Sequence, residues 1–112
     1  MLKKILIILT TALLICILFS CSDKAENTII FATDATWPPM EFLNANREIV
    51  GFEIDLFNLV AKEGGFKAEY KNTAWDGIFA GLATGEYDAV LSSVTITKDR
   101  QKTLDFSIPY IN

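Results

Sequence analysis

Between residues 29 and 91 the chain alternates strand-like and helix-like segments, and no other feature restricts its fold as much. Ile29-Ile30-Phe31-Ala32 is a short continuous apolar run, the pattern of a parallel strand buried on both faces. Pro38 and Pro39 exclude a helix just after it. Met40 to Phe52 alternates loosely around Asn44, Asn46 and Gly51 and reads as a hairpin-like excursion. Glu53 to Glu63 is helical: Ile54, Phe57 and Ala61 form one stripe, with Leu56 and Val60 beside it. Glu53 and Asp55 fall in the first turn, where the helix dipole favours negative charge, and Gly64-Gly65 supplies a left-handed stop. Phe66 to Tyr70 reads as a strand. Trp75 to Thr84 reads as a helix with Ile78, Phe79 and Leu82 facing inward and Gly85 ending it. Tyr87 to Leu91 reads as a third strand. A helical turn is expected at Lys98 to Lys102, N-capped by Thr97. Leu104 to Tyr110 is expected to be extended, with Pro109 limiting its pairing.

Strand, helix, strand, helix, strand predicts an α/β architecture, a mostly parallel sheet flanked by helices. In such sheets ligands collect beyond the carboxyl ends of the strands. The first strand runs into Thr33-Asp34 and the third into Ser92-Ser93, so both polar clusters are expected on one rim. Arg100 carries a planar fork of donors matched to a carboxylate. Ser92, Ser93 and Thr95 each donate or accept, Trp37 and Trp75 offer flat apolar walls or a face for a cation, and Asp34 suits an ammonium. Together they fit a zwitterion such as a free amino acid. Each residue also has a plainer reading. Arg100 can be a surface charge, the Ser/Thr run turn and cap chemistry, Trp75 a core residue or hydrophobic staple, Trp37 a plug for the sheet end, and Asp34 a turn cap. Residue chemistry alone does not choose between them.

The first twenty residues have a different character. Lys3 and Lys4 precede an apolar run from Ile5 to Phe19, the n-region and h-region of a secretory signal. The run is short for a bilayer span, which needs about 20 residues. Leu18-Phe19-Ser20-Cys21 resembles a bacterial lipobox, which implies cleavage before Cys21 and diacylglycerol on its thiol. Phe19 is bulkier than the usual residue at its position. The expected organisation is a lipoprotein signal peptide at 1–20, a lipidated Cys21 and polar tether through 28, and a folded part at 29–112. Lipid chains would anchor the protein to a membrane without a spanning helix. Without Lys3 and Lys4, 8 basic and 14 acidic residues remain, a net charge of −6 that argues against nucleic acid as a partner. The chain has no histidine, and processing would remove Cys16 and block Cys21, so no metal site and no cofactor is expected. No G-x-S-x-G elbow or phosphate-cradling glycine loop is present, and no catalytic residue is assigned.

Four blocks carry a resemblance: ATDATWPPMEF (32–42), IVGFEIDLFNLVAKE (49–63), TAWDGIFAGLATGEYDAVLSSVTITKDR (73–100) and LDFSIPY (104–110). In this order they resemble the start of the bacterial solute-binding proteins for polar amino acids, the extracytoplasmic receptors of amino-acid ABC importers. The resemblance implies a type II periplasmic-binding-protein-like fold of two hinged lobes closing over one amino acid. It further implies ligand contacts from Asp34 and Trp37, packing of Trp75 on the ligand, and an α-carboxylate held by Ser92, Ser93, Thr95 and Arg100. The implied partners are a free amino acid and the membrane subunits of the importer. Phe79 stands where the family often has proline.

Members of that family are more than twice this length, so the chain is expected to be the first lobe only, and incomplete. Closure excludes water from such a cleft, so weak or no ligand binding is expected of these 112 residues alone. The same fold hosts periplasmic dehydratases and peptidoglycan lyases, but this half shows none of the catalytic groups they need. A sensor input domain would carry a later membrane span, which a lipobox argues against. A fragment without function, or a short lipoprotein acting through surface contacts, is the remaining alternative.

Overall fold

A computed structural model describes residues 27–111. The expected signal peptide, Cys21 and most of the expected tether lie outside them. The described elements are β1 (Thr28–Thr33), β2 (Thr36–Trp37), β3 (Glu41–Leu43), β4 (Ile49–Val50), α1 (Phe52–Gly64), β5 (Lys67–Asn72), α2 (Trp75–Thr84), β6 (Ala89–Val90) and a 3-10 turn at Arg100–Lys102.

β1 is the centre of a parallel sheet in the order β5-β1-β6. Its register sets Phe31 beside Tyr70 on one strand and Ala89 on the other. Successive residues of a strand face opposite ways, and β1 uses both faces. The Phe31 ring packs edge-on against Phe57 of α1 at 5.4 Å and stacks against Tyr70 at 6.0 Å. Ala32 joins Ile78 of α2 and Tyr87 in a fully enclosed cluster on the other face. One helix therefore covers each face, which is why Ile29 to Ala32 is apolar without alternation.

Both helices end where glycine allows a left-handed residue: Gly65 at φ 68 and Gly85 at φ 76. Of the expected α1 stripe, Ile54 and Ala61 are buried and Phe57 is half-buried, while Val60 lies exposed.

Three expectations are corrected in detail. The hairpin-like excursion is a meander of three short antiparallel strands, β2-β3-β4. The third parallel strand is only Ala89–Val90, not Tyr87 to Leu91. Tyr87 turns into the core instead and donates its hydroxyl to the Ile78 carbonyl. The strand after α1 begins at Lys67 and runs on to Asn72. Residues 104–111 join neither sheet.

Gly51 fixes how the meander meets α1. Its φ is 136, and a side chain there would run into the Met40 carbonyl. The close approach lets the Glu53 N–H reach the Met40 carbonyl at 3.0 Å and the Phe52 N–H reach Pro39 at 3.0 Å. It brings Glu41, next in chain to Met40, beside Glu53 at the start of α1.

Candidate functional site

Because β1 and β6 run parallel, Asp34 and Ser92 leave the sheet at the same end, as the alternation predicted. The Asp34 N–H donates to Ser92 Oγ at 3.0 Å, joining the two exits. The Asp34 carboxylate accepts from Thr36 Oγ1 at 2.8 Å and from the Trp75 N–H at 3.1 Å. The second bond caps the first turn of α2, whose own N-cap, Ala74, has no side-chain acceptor. The Asn72 side chain accepts from the Ala35 N–H at 3.1 Å and closes the loop after β1.

Both serines are tied to buried carboxylates, although only Ser92 is itself buried. Ser92 is 4% exposed, and its hydroxyl donates to Glu41 Oε1 at 2.9 Å. Ser93 has φ 46, in the left-handed region that only a few per cent of non-glycine residues adopt. Its N–H donates to both Glu53 oxygens, at 3.0 and 3.1 Å, and its hydroxyl donates to Glu53 Oε1 at 2.9 Å. Tyr110 reaches the same oxygen at 2.7 Å. Glu41 and Glu53 are both 0% exposed, a costly arrangement unless hydrogen bonds and shared protons compensate. Burial first, and the Glu53 charge second, push the Glu41 carboxyl up from 4.5 to about 7. Burial and then Glu53 hold the Tyr110 phenol well above its ordinary range.

Sequence reasoning missed this cluster. Glu53 reads as a helix-start charge and Glu41 as a polar residue in an irregular strand. A signal was available in the spacing: Glu41 and Glu53 each follow a close-approach segment, Pro38-Pro39-Met40 and Gly51-Phe52.

Arg100 lies at the outer end of the rim, half-buried. Its guanidinium sits 5.4 Å from the Trp75 ring centre and 5.6 Å from Phe79, within cation–π range of both. The two rings meet edge-on at 5.2 Å. Nη1 donates to the Thr95 carbonyl at 2.8 Å, and the Arg100 N–H donates to Thr97 Oγ1 at 3.2 Å, the capping contact expected of Thr97. Among the described residues Arg100 has no carboxylate within salt-bridge distance. The structure thus joins Asp34, Trp75 and Ser92 through hydrogen bonds or a shared loop, and Trp75, Thr95 and Arg100 through the guanidinium. Thr95 is exposed, and Trp37 lies 63% exposed on β2.

A cleft of about 940 Å³ opens between β6 and residues 103–111. Its walls combine the apolar Phe31, Phe57, Leu82 and Val90 with Glu53, Ser92, Ser93 and Thr95, so it reaches the inner end of the rim. Arg100 and Phe79 line a smaller adjoining hollow. Among the described residues no group of three or more His, Cys, Asp or Glu is arranged to hold a metal ion. No helix among them is long and apolar enough to cross a membrane.

Residues 29–112 match the family described as bacterial extracellular solute-binding proteins, family 3. The chain is 46% identical over 79 residues to a probable histidine-binding protein of Neisseria gonorrhoeae, covering 70% of this chain and 30% of that protein. It is 39% identical over 92 residues to ABC transporter arginine-binding protein 1 of Escherichia coli strain K12, covering 82% of this chain and 38% of that protein. The crystal structure of the arginine-bound form of domain 1 from TmArgBP superposes with a TM-score of 0.72 at 34% identity, covering 78% of this chain and 69% of that one. The chain spans about a third of the length of the curated relatives it matches, and its fold is a partial α/β domain of the type II periplasmic-binding kind. These relatives are named as binding proteins, not enzymes. With the family matched from β1 onward and the fold shared, the chain belongs to the bacterial extracellular solute-binding proteins, family 3.

Proposed function

We propose that this chain forms one side of the amino-acid site in the receptor of an ABC importer, and that it acts by binding rather than catalysis. The observation that carries this reading is Arg100: a half-buried guanidinium, stacked against Trp75 and Phe79, with no carboxylate partner among the described residues. A cation so fixed and so uncompensated suits a ligand carboxylate, which the guanidinium fork holds bidentately. Thr95 and the Ser92–Ser93 backbone flank that position. Trp75 supplies an apolar wall, Trp37 an exposed ring able to cover the ligand, and Asp34 a carboxylate for its ammonium. A free, polar amino acid is the proposed ligand, in keeping with relatives named for histidine and arginine.

The family is extracytoplasmic. We further propose that Cys21 carries the lipid that holds this receptor at the membrane, next to the importer's membrane subunits, with residues 1–20 as the signal removed on export. The test is a calorimetric titration of the protein, isolated from its native membrane, with the common L-amino acids. Saturable binding of at least one, lost in Arg100→Met, is expected. Absence of binding by any of them, or an unchanged affinity in Arg100→Met, overturns the reading.

A further inference from the structure

A buried carboxylate beside a site for amino acids invites the idea that it receives the ligand ammonium. The geometry of Glu53 argues otherwise. The residue is 0% exposed, and donors already converge on it: the Ser93 N–H on both oxygens, and the Ser93 and Tyr110 hydroxyls on Oε1. Its task lies in what it holds.

We infer that Glu53 is a positioning residue for the binding site, its buried carboxylate fixing Ser93 in the left-handed backbone conformation and so directing the Ser93–Thr95 segment toward Arg100. This rests on the reading of Arg100 as the ligand anchor. Serine at φ 46 is unfavourable unless its surroundings over-determine it. Here a rigid acceptor does so. Glu53 is in the first turn of α1, tied by its own N–H to Met40, and Gly51 allows that contact. Glu41 steadies the neighbouring residue by accepting from Ser92 Oγ and approaches Ser93 Oγ at 3.5 Å. Two residues beyond Ser93, the Thr95 carbonyl accepts from Arg100 Nη1. A change of φ at Ser93 swings that carbonyl, and the guanidinium loses the bond that orients it. The connection therefore runs from Glu53 through Ser93 and Thr95 to Arg100.

The test compares Glu53→Leu, which fills similar volume without an acceptor, with Glu53→Gln, which keeps one acceptor oxygen, and with the exposed control Glu63→Gln. Amino-acid affinity is measured by calorimetry on the folded protein, and solvent exchange of the Ser93 amide by NMR. Loss of a hydrogen bond to a charged group corresponds to about tenfold or more in affinity. Glu53→Leu is expected to weaken binding by about that factor and to speed Ser93 amide exchange at least as much. Glu53→Gln should recover most of both, and Glu63→Gln should change neither. A merely structural Glu53 would lower the melting temperature and leave the affinity of the folded protein and the Ser93 amide untouched; that result overturns the inference. If Glu53→Leu does not fold, Glu53→Asp, which withdraws the carboxylate by one methylene, is held to the same two expectations. If the wild-type protein binds no amino acid, the functional reading fails, and the Ser93 amide still decides whether Glu53 holds the loop.

Discussion

The Ser93 backbone N–H lies 3.0 and 3.1 Å from the two carboxylate oxygens of Glu53, forty residues away in sequence. This contact ties the start of α1 to the exit of β6, two segments that share no sheet. The second carboxylate, Glu41, accepts from the adjacent Ser92 hydroxyl.

The Glu41 carboxyl gives stability a pH dependence with a definite sign. Its value in the folded protein is about 7, against an ordinary 4.5. The folded state therefore binds this proton more tightly than the unfolded chain does. The stability it lends is fully present below about 4.5, falls as pH rises toward about 7, and is level above that. The fall is on the order of 3 kcal/mol. Glu41→Gln, neutral at every pH, is expected to flatten it, so wild type and variant should diverge across this window in urea unfolding. Parallel curves from pH 4 to 8 would show that Glu41 is not the group responsible.

Asp34 acts as an acceptor for the first turn of α2. Asp34→Ala is expected to lower stability by about 1–2 kcal/mol, the usual effect of losing a cap. Asp34→Asn, which keeps an acceptor oxygen, should lose less than half of that. Denaturant midpoints decide the matter, with equal losses in the two variants counting against the capping role.

Arg100 separates binding from stability. Its hydrogen bond to Thr95 and its stacking on Trp75 and Phe79 are partly solvent-exposed, so Arg100→Lys should change stability by no more than about 1 kcal/mol. Lysine lacks the planar fork, and amino-acid affinity is expected to drop by about tenfold or more. Calorimetry and thermal unfolding on the same samples read the two effects independently.

Gly51 allows the approach of β3 to α1. Gly51→Ala places a Cβ against the Met40 carbonyl at φ 136, a region closed to alanine. A loss of about 2 kcal/mol or more is expected, with the Ser93 amide losing protection as the Glu41–Glu53 pair separates. A fully stable Gly51→Ala protein would mean that this segment relaxes freely.

Cys21 is tested in the cell. Cys21→Ser is expected to move the protein from the membrane fraction to the soluble extracytoplasmic fraction, and to remove the mass of the lipid from its N-terminal peptide. Unchanged membrane retention would rule out the lipid as the anchor.

The alternation of β1, α1, β5, α2 and β6, the helix stops at Gly65 and Gly85, and the shared rim of Asp34 and Ser92 are legible from residue order. These follow from local periodicity, glycine at positive φ and parallel strand direction, all readable within short windows of sequence. The family blocks were legible for the same reason, as contiguous residues in order. Which polar residues are buried is set by the packing of distant segments. Glu53 in the first turn of a helix looks the same in sequence whether solvent or Ser93 receives its charge. Glu41, Ser92, Ser93 and Tyr110 are brought to it from three other segments. The serine contacts, the left-handed Ser93 and the raised Glu41 carboxyl all depend on the burial of Glu41 and Glu53. Burial is a property of contacts between distant segments, and no local pattern encodes it.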